Sequence, residues 1–121
     1  MKSLLTIFLF PLLFFTSAAF APKNSNDEIT ASFKVSGVCG MCKERIEESL
    51  YVTGVKSAVW NKKSQTLTVS YKSKKISEQK IHQLVAGVGH DTEKVKADDK
   101  VYKALPDCCL YRDGANAHDD K

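Results

Sequence analysis

Four cysteines and three histidines hold most of the reactive chemistry available to this 121-residue chain. Cys39 and Cys42 stand three positions apart in Val38-Cys39-Gly40-Met41-Cys42, and Cys108-Cys109 are adjacent near the C-terminus. Two thiols at the first spacing can grip one metal ion if one lies in a loop and the other in the opening turn of a helix. Free backbone N–H groups and the helix dipole favour negative charge at that end. They thereby enrich the thiolate, which is the form that ligates metal. Gly40 is expected to let the backbone turn tightly between the sulfurs. Soft thiolates select Cu(I), Zn(II) or Hg(II) over magnesium or calcium. A structural zinc site closes four positions, so a pair of ligands leaves the ion open to an incoming ligand. Such a site suits an ion that is passed on.

Cys108 and Cys109 admit three readings. They join the Cys39/Cys42 site, form a second site with His118, or make disulfides in an oxidising compartment. Adjacent cysteines rarely bond each other because the geometry is strained. Four cysteines allow three complete pairings, and sequence does not choose between them.

The elements that must position these residues follow from periodicity. Ile29, Ala31, Phe33 and Val35 alternate with polar residues, which predicts a half-buried strand. Gly37 ends it, and a helix is predicted from about Met41 to Thr53, with Cys42, Ile46, Leu50 and Thr53 on its inner side and Gly54 closing it. Val55–Lys62 is a strand of ambiguous register, and Thr66–Lys72 is a cleaner one with Leu67, Val69 and Tyr71 on one face. The polar stretch Asn61–Gln65 makes the hairpin loop between them. A second helix is predicted over Glu78–Val88 on the stripe Ile81, Leu84, Val85 and Val88. Ser77 is its N-cap, and Ile76 staples onto Ile81. His82 falls off that stripe and is expected to face solvent. Thr92–Ala97 is read as a final strand with Val95 inward, and Asp98–Leu105 as a helical turn. The order β-α-β-β-α-β predicts an α+β, ferredoxin-like sandwich of two helices on a four-stranded antiparallel sheet. That domain spans 28–97, a C-terminal extension spans 98–121, and its polar end is expected to be disordered.

The beginning of the chain reads differently. Lys2, the apolar run Leu4–Phe15 and the small residues Thr16–Ala21 make a secretory signal peptide over residues 1–21. The run is shorter than the ~20 residues that span a bilayer. The expected product is exported, periplasmic or secreted, and not inserted in the membrane once cleaved. Residues 22–27 are a flexible leader. Cleavage removes only Lys2 among the charged residues, leaving 17 basic and 14 acidic side chains. That balance is too mild to argue for nucleic acid.

The segment Val35-Ser36-Gly37-Val38-Cys39-Gly40-Met41-Cys42, followed by Ile46-Glu47 and Leu50, resembles the heavy-metal-associated domain. The likeness runs from about Ile29 to Ala97 and includes Gly54-Val55, Leu67, Val69 and Tyr71. The family includes copper chaperones, N-terminal modules of metal-pumping P-type ATPases and mercury-scavenging envelope proteins. The resemblance implies the ferredoxin-like fold, Cys39 and Cys42 as the metal-binding pair, and a membrane metal transporter or efflux component as partner. Cu(I) is the leading ion, with Hg(II) and Zn(II) as alternatives. It also places His90 beside the cysteine loop, as a third ligand, a donor to one, or a surface-loop histidine that tunes local charge; Cys108 and Cys109, outside the family's usual span, are possible further ligands on their residue type alone. One departure is plain: the family commonly carries a methionine two residues before the first cysteine, where this chain has Gly37.

Two rivals share the motif. Thiol–disulfide oxidoreductases also place C-x-x-C at a helix N-terminus, but there the motif follows a β-α-β unit and is usually preceded by an aromatic, where this chain has Val38. The other rival is an exported domain whose C-x-x-C is a disulfide. No Ser-His-Asp set, paired acidic site or glycine-rich phosphate loop is present in the sequence, so a non-enzymatic role is expected.

Overall fold

The computed structural model describes residues 27–114. The expected signal peptide, most of the expected leader, His118 and the end of the extension lie outside the described residues. Strand β1 (Glu28–Lys34) leads into helix α1 (Gly40–Glu48), then β2 (Val55–Asn61), β3 (Thr66–Lys72) and helix α2 (Glu78–Gly87). A short helix α3 (Asp99–Lys103) and two 3-10 turns, Asp107–Cys109 and Tyr111–Asp113, complete the described residues.

The strands pair antiparallel in the order β1-β3-β2. Ala31 opposes Val69 and Phe33 opposes Leu67 on the inner face. The outer face is hydroxyl-rich, with Thr30 and Ser70 2.8 Å apart and Ser32 and Thr68 3.1 Å apart. One face therefore packs and the other meets water, as alternation requires. The ambiguity in the second strand has a physical source. Between Val55 and Ser57 the register against β3 shifts. This bulge turns Val55 toward the core in the place Lys56 would otherwise take, while Ala58 and Trp60 keep the alternation.

Both long helices cover the inner face. Cys42 and Ile46 from the first, Leu50 just beyond it, and Ile81 and Val85 from the second pack with Phe33, Val35, Leu67, Val69 and Trp60. Each such fully buried aliphatic side chain contributes about 1.5–3 kcal/mol relative to exposure. Ser77 caps α2 by accepting from the Lys80 N–H at 3.1 Å.

Three expectations are corrected. First, the sheet has three strands rather than four among the described residues. The segment after His90 meets the end of β1 at the isolated bridge Val35–Thr92, where Glu93 N–H donates to Lys34 O at 3.1 Å, and forms no further ladder. Thr92 then curls the chain: its N–H donates to Val95 O at 2.8 Å, and its Oγ1 accepts from Val95 N at 3.0 Å and Lys94 N at 3.3 Å. A backbone so turned cannot extend along an edge, and Val95 ends half-buried. Second, α1 stops at Glu48 and continues as tightened turns that bring Leu50 inward but leave Thr53 exposed. Gly54, at φ +100°, ends those turns, and a Cβ there would lie 2.9 Å from Ile76. Third, His82 is fully buried, stacked on Phe33 with ring centroids 3.8 Å apart. Its Nδ1 lies 2.6 Å from Thr92 Oγ1, and this polar partner is what makes burial affordable.

Candidate metal centre

Cys39 is the N-cap residue of α1, with extended backbone at φ −142° and ψ 174°. The helix starts at the next residue, so the turn between the two thiols is the helix's own. Gly40 takes no positive φ, and a Cβ built on it would meet nothing within 4 Å. The expected need for glycine there does not hold. The helical turn sets Cys39 Sγ 3.4 Å from Cys42 Sγ. Cys42 is fully buried and also accepts from the Val38 N–H at 3.5 Å.

Gly37 has a different role. A Cβ there would sit 2.9 Å from Trp60 Cζ2, 3.0 Å from Cη2 and 3.1 Å from Cys42 Cβ. The indole therefore fills the space beneath the cysteine loop. Its ring N–H donates to Val35 O at 3.0 Å, which satisfies its one polar atom in the core. Trp60 had no sequence signal beyond its apolar character.

The C-terminal extension returns to this loop. Cys109 Sγ lies 3.4 Å and Cys108 Sγ 3.7 Å from Cys39 Sγ. The three sulfurs all lie within 4.8 Å of one another. Met41 is half exposed, with its Sδ 3.5 Å from Cys108 Sγ. Arg45 Nη1 lies 3.9 Å from Cys109 Sγ, a cation facing the sulfurs. All four cysteines are free thiols.

Burial raises the Cys39 pKa, but the Cys42 backbone N–H and the thiols of Cys42, Cys109 and Cys108 outweigh it, leaving Cys39 below the ordinary thiol value. Cys108 is raised chiefly by its hydrogen bond with Cys39. Burial is the main cause that pushes Cys109 far above the ordinary range. Cys39 is thus favoured as thiolate over Cys108 and Cys109.

His90 is fully buried, outside the group of neighbouring sulfurs. Its Nδ1–H donates to Ser36 O at 2.9 Å, and its ring stacks on Tyr111 with centroids 5.7 Å apart. Nε2 has no hydrogen-bond partner. Burial is the main cause that lowers its pKa, with Arg45 adding to it against the Ser36 bond, so the ring is held neutral.

Further residues that fix the site carried no motif. Tyr111 OH donates to Gly89 O at 2.7 Å and accepts from Asp91 N at 2.8 Å. Arg112 binds the Asp91 carboxylate and Ala97 O, and stacks over the Tyr102 ring 4.3 Å from its centroid. These bonds lock the extension onto the loop that follows α2. Glu47 ties α1 to β2 through the Trp60 N–H at 3.1 Å and also pairs with Lys43.

Residues 32–91 match the heavy-metal-associated domain. Among solved structures, the chain is similar to a CopZ metallochaperone at 27% identity and a TM-score of 0.51, covering 53% of this chain and 98% of that one. The soluble region of the P-type ATPase CopA from Bacillus subtilis gives 27% identity and 0.51 over 54% of this chain and 44% of that one. A third, described as a putative copper-ion-binding protein from Bacillus anthracis, shares the fold at 24% identity and 0.53, over 56% and 99%. No curated protein matches the chain.

Proposed function

We propose, for a chain that belongs to the heavy-metal-associated domain family through residues 32–91, that it is a carrier of a soft metal ion held by Cys39 and Cys42. The observation that carries this is the 3.4 Å approach of two free thiols at the N-terminus of α1. One already favours the thiolate and the other is buried against it. Cu(I) is the preferred ion, since soft thiolate ligands select it and an exposed thioether stands at the rim. The similar metallochaperone and P-type ATPase region support a carrier that hands a metal ion to a transporter. The protein acts as a carrier without a catalytic step, in the cell envelope, where it sequesters the ion or passes it to a membrane metal transporter. The apolar start of the sequence supports export.

The test is anaerobic titration of the reduced protein with Cu(I), Zn(II) and Hg(II), alongside Cys39→Ser/Cys42→Ser. One Cu(I) per chain, bound tightly by the parent and not by the variant at α1, is expected. A reduced parent protein that binds none of the three ions would end this reading.

A further inference from the structure

We infer that the C-terminal extension completes the site: Cys109 and Cys108 bind the same ion as Cys39 and Cys42, so the extension is a latch over the bound metal. This rests on the proposed soft-metal function and extends it to a second segment of the chain.

Sulfur spacing is the first argument. With a metal–sulfur bond of about 2.3 Å, a linear two-coordinate ion separates its sulfurs by about 4.6 Å. A trigonal or tetrahedral set at the same bond length separates them by about 3.8–4.0 Å. Cys39 and Cys42 are 3.4 Å apart, well short of the linear span. Among Cys39, Cys108 and Cys109 the spacings are 3.4 Å (Cys39–Cys109), 3.7 Å (Cys39–Cys108) and 3.9 Å (Cys108–Cys109). Cys39, Cys108 and Cys109 are therefore spaced close to a three-sulfur set, with Cys42 beside Cys39, and far from the linear arrangement.

Preorganisation is the second argument. The extension does not have to be captured from solution, because it is already docked. Leu105 packs against Gly89, where even a Cβ would come within 2.9 Å. Tyr111 and Arg112 fasten the following turn to Gly89 and Asp91. Cys109 is fully buried between them and the cysteine loop. Ligands held in place before the ion arrives cost little ordering entropy on binding.

Charge is the third. Each thiol that binds does so as thiolate and gives its proton to solvent. Three thiolates on Cu(I) leave a net charge of −2 and four leave −3, and Arg45 stands 3.9 Å from Cys109 Sγ to offset part of it.

A closed sulfur set retains its ion against small ligands, and release to an acceptor requires the extension to lift so that an incoming thiolate can take its place. The latch thus sets the balance between holding the metal and handing it on.

The experiment loads the reduced protein anaerobically with one equivalent of Cu(I) and counts sulfur ligands by X-ray absorption. It is repeated on Cys108→Ser/Cys109→Ser and on Cys39→Ser/Cys42→Ser, each checked by circular dichroism, with affinity read against a chromophoric Cu(I) chelator. Three or more sulfurs in the parent support the latch, as do two sulfurs and at least tenfold weaker binding in Cys108→Ser/Cys109→Ser. Two sulfurs in the parent overturn it, whether or not the variants fold. Full-affinity Cu(I) binding by Cys39→Ser/Cys42→Ser overturns it too, because the second pair would then be a separate site. A parent that binds no Cu(I), Hg(II) or Zn(II) is the distinct failure of the underlying function.

Discussion

Arg112 grips both carboxylate oxygens of Asp91, with Nε 2.9 Å from Oδ2 and Nη2 2.6 Å from Oδ1. The fork joins the last described turn of the chain to the loop after α2, and Asp91 simultaneously accepts from the Ala97 N–H at 2.7 Å. Bidentate charged pairs of this kind give both energy and direction. Arg112→Ala removes the fork and the contact with Tyr102, and strands a half-buried carboxylate. It is expected to lower stability by about 2 kcal/mol, a figure held down by the solvent that reaches both side chains. Urea denaturation measures that loss. Hydrogen exchange gives the sharper readout: amides of residues 107–113 should exchange faster while those of β3 stay protected. Uniform exchange across both segments would show that the fork stabilises the whole fold rather than docking the extension.

Two glycines three residues apart make opposite predictions. At Gly37 a methyl group runs into the Trp60 ring and Cys42 Cβ, so Gly37→Ala should cost about 1–3 kcal/mol through overpacking. The indole would be displaced, and its emission should shift to the red as water reaches it. At Gly40 the same methyl meets open space on a helical backbone, so Gly40→Ala should be neutral or stabilising by up to about 1 kcal/mol. Thermal unfolding of the two variants beside the parent checks both. Equal destabilisation would show that glycine at position 40 is needed for the cysteine loop after all.

The contrast shows what the sequence could and could not disclose. Alternation exposed β1 and β3, and the i, i+3, i+4 stripe exposed α2, because those patterns are written in neighbouring residues. The Cys39/Cys42 pair was equally plain, since three positions on a helix end bring two side chains together. Long-range partners left no such trace. Trp60 fills the space that the missing side chain at Gly37 leaves, and this depends on a contact across 23 positions. His82 is off the apolar stripe but buried, because Thr92 and Phe33 come from elsewhere to meet it. Asp91, Tyr111 and Arg112 look like ordinary loop residues until the chain folds back. The missing fourth strand has the same cause: β propensity in Thr92–Ala97 loses to a turn that Thr92 makes with its own side chain.

The thiols should differ in reactivity in a fixed order. Cys39 is partly exposed, and its thiolate is favoured by the hydrogen bonds that converge on it. Cys109 is buried and strongly disfavoured as thiolate. Because the thiolate is the nucleophile, a limiting amount of iodoacetamide at neutral pH should label Cys39 first and Cys109 last in the reduced protein. Mass spectrometry of the labelled peptides gives the order, and rate against pH should place the Cys39 midpoint below that of a free thiol. Labelling of Cys109 at the rate of Cys39 would contradict the arrangement of donors around Cys39.

His90 makes stability depend on pH in a predictable direction. In the unfolded chain its imidazole takes up a proton near about pH 6.5. In the folded protein burial lowers that value, with Arg45 contributing in the same sense. Below about pH 6.5 the unfolded state therefore binds more protons than the folded one, and stability falls as the solution is acidified. Asp91 acts in a lower window: burial raises its pKa, but Arg112 outweighs this and holds it below the usual carboxylate value. Its contribution is present above about pH 4 and is lost as pH falls through the folded value. His90→Asn keeps a donor for Ser36 O without a titrating ring. Its midpoint temperature should fall less steeply than the parent's between pH 7 and pH 5, while both lose stability alike below pH 4. Parallel curves between pH 7 and pH 5 would assign the acid sensitivity to groups other than His90.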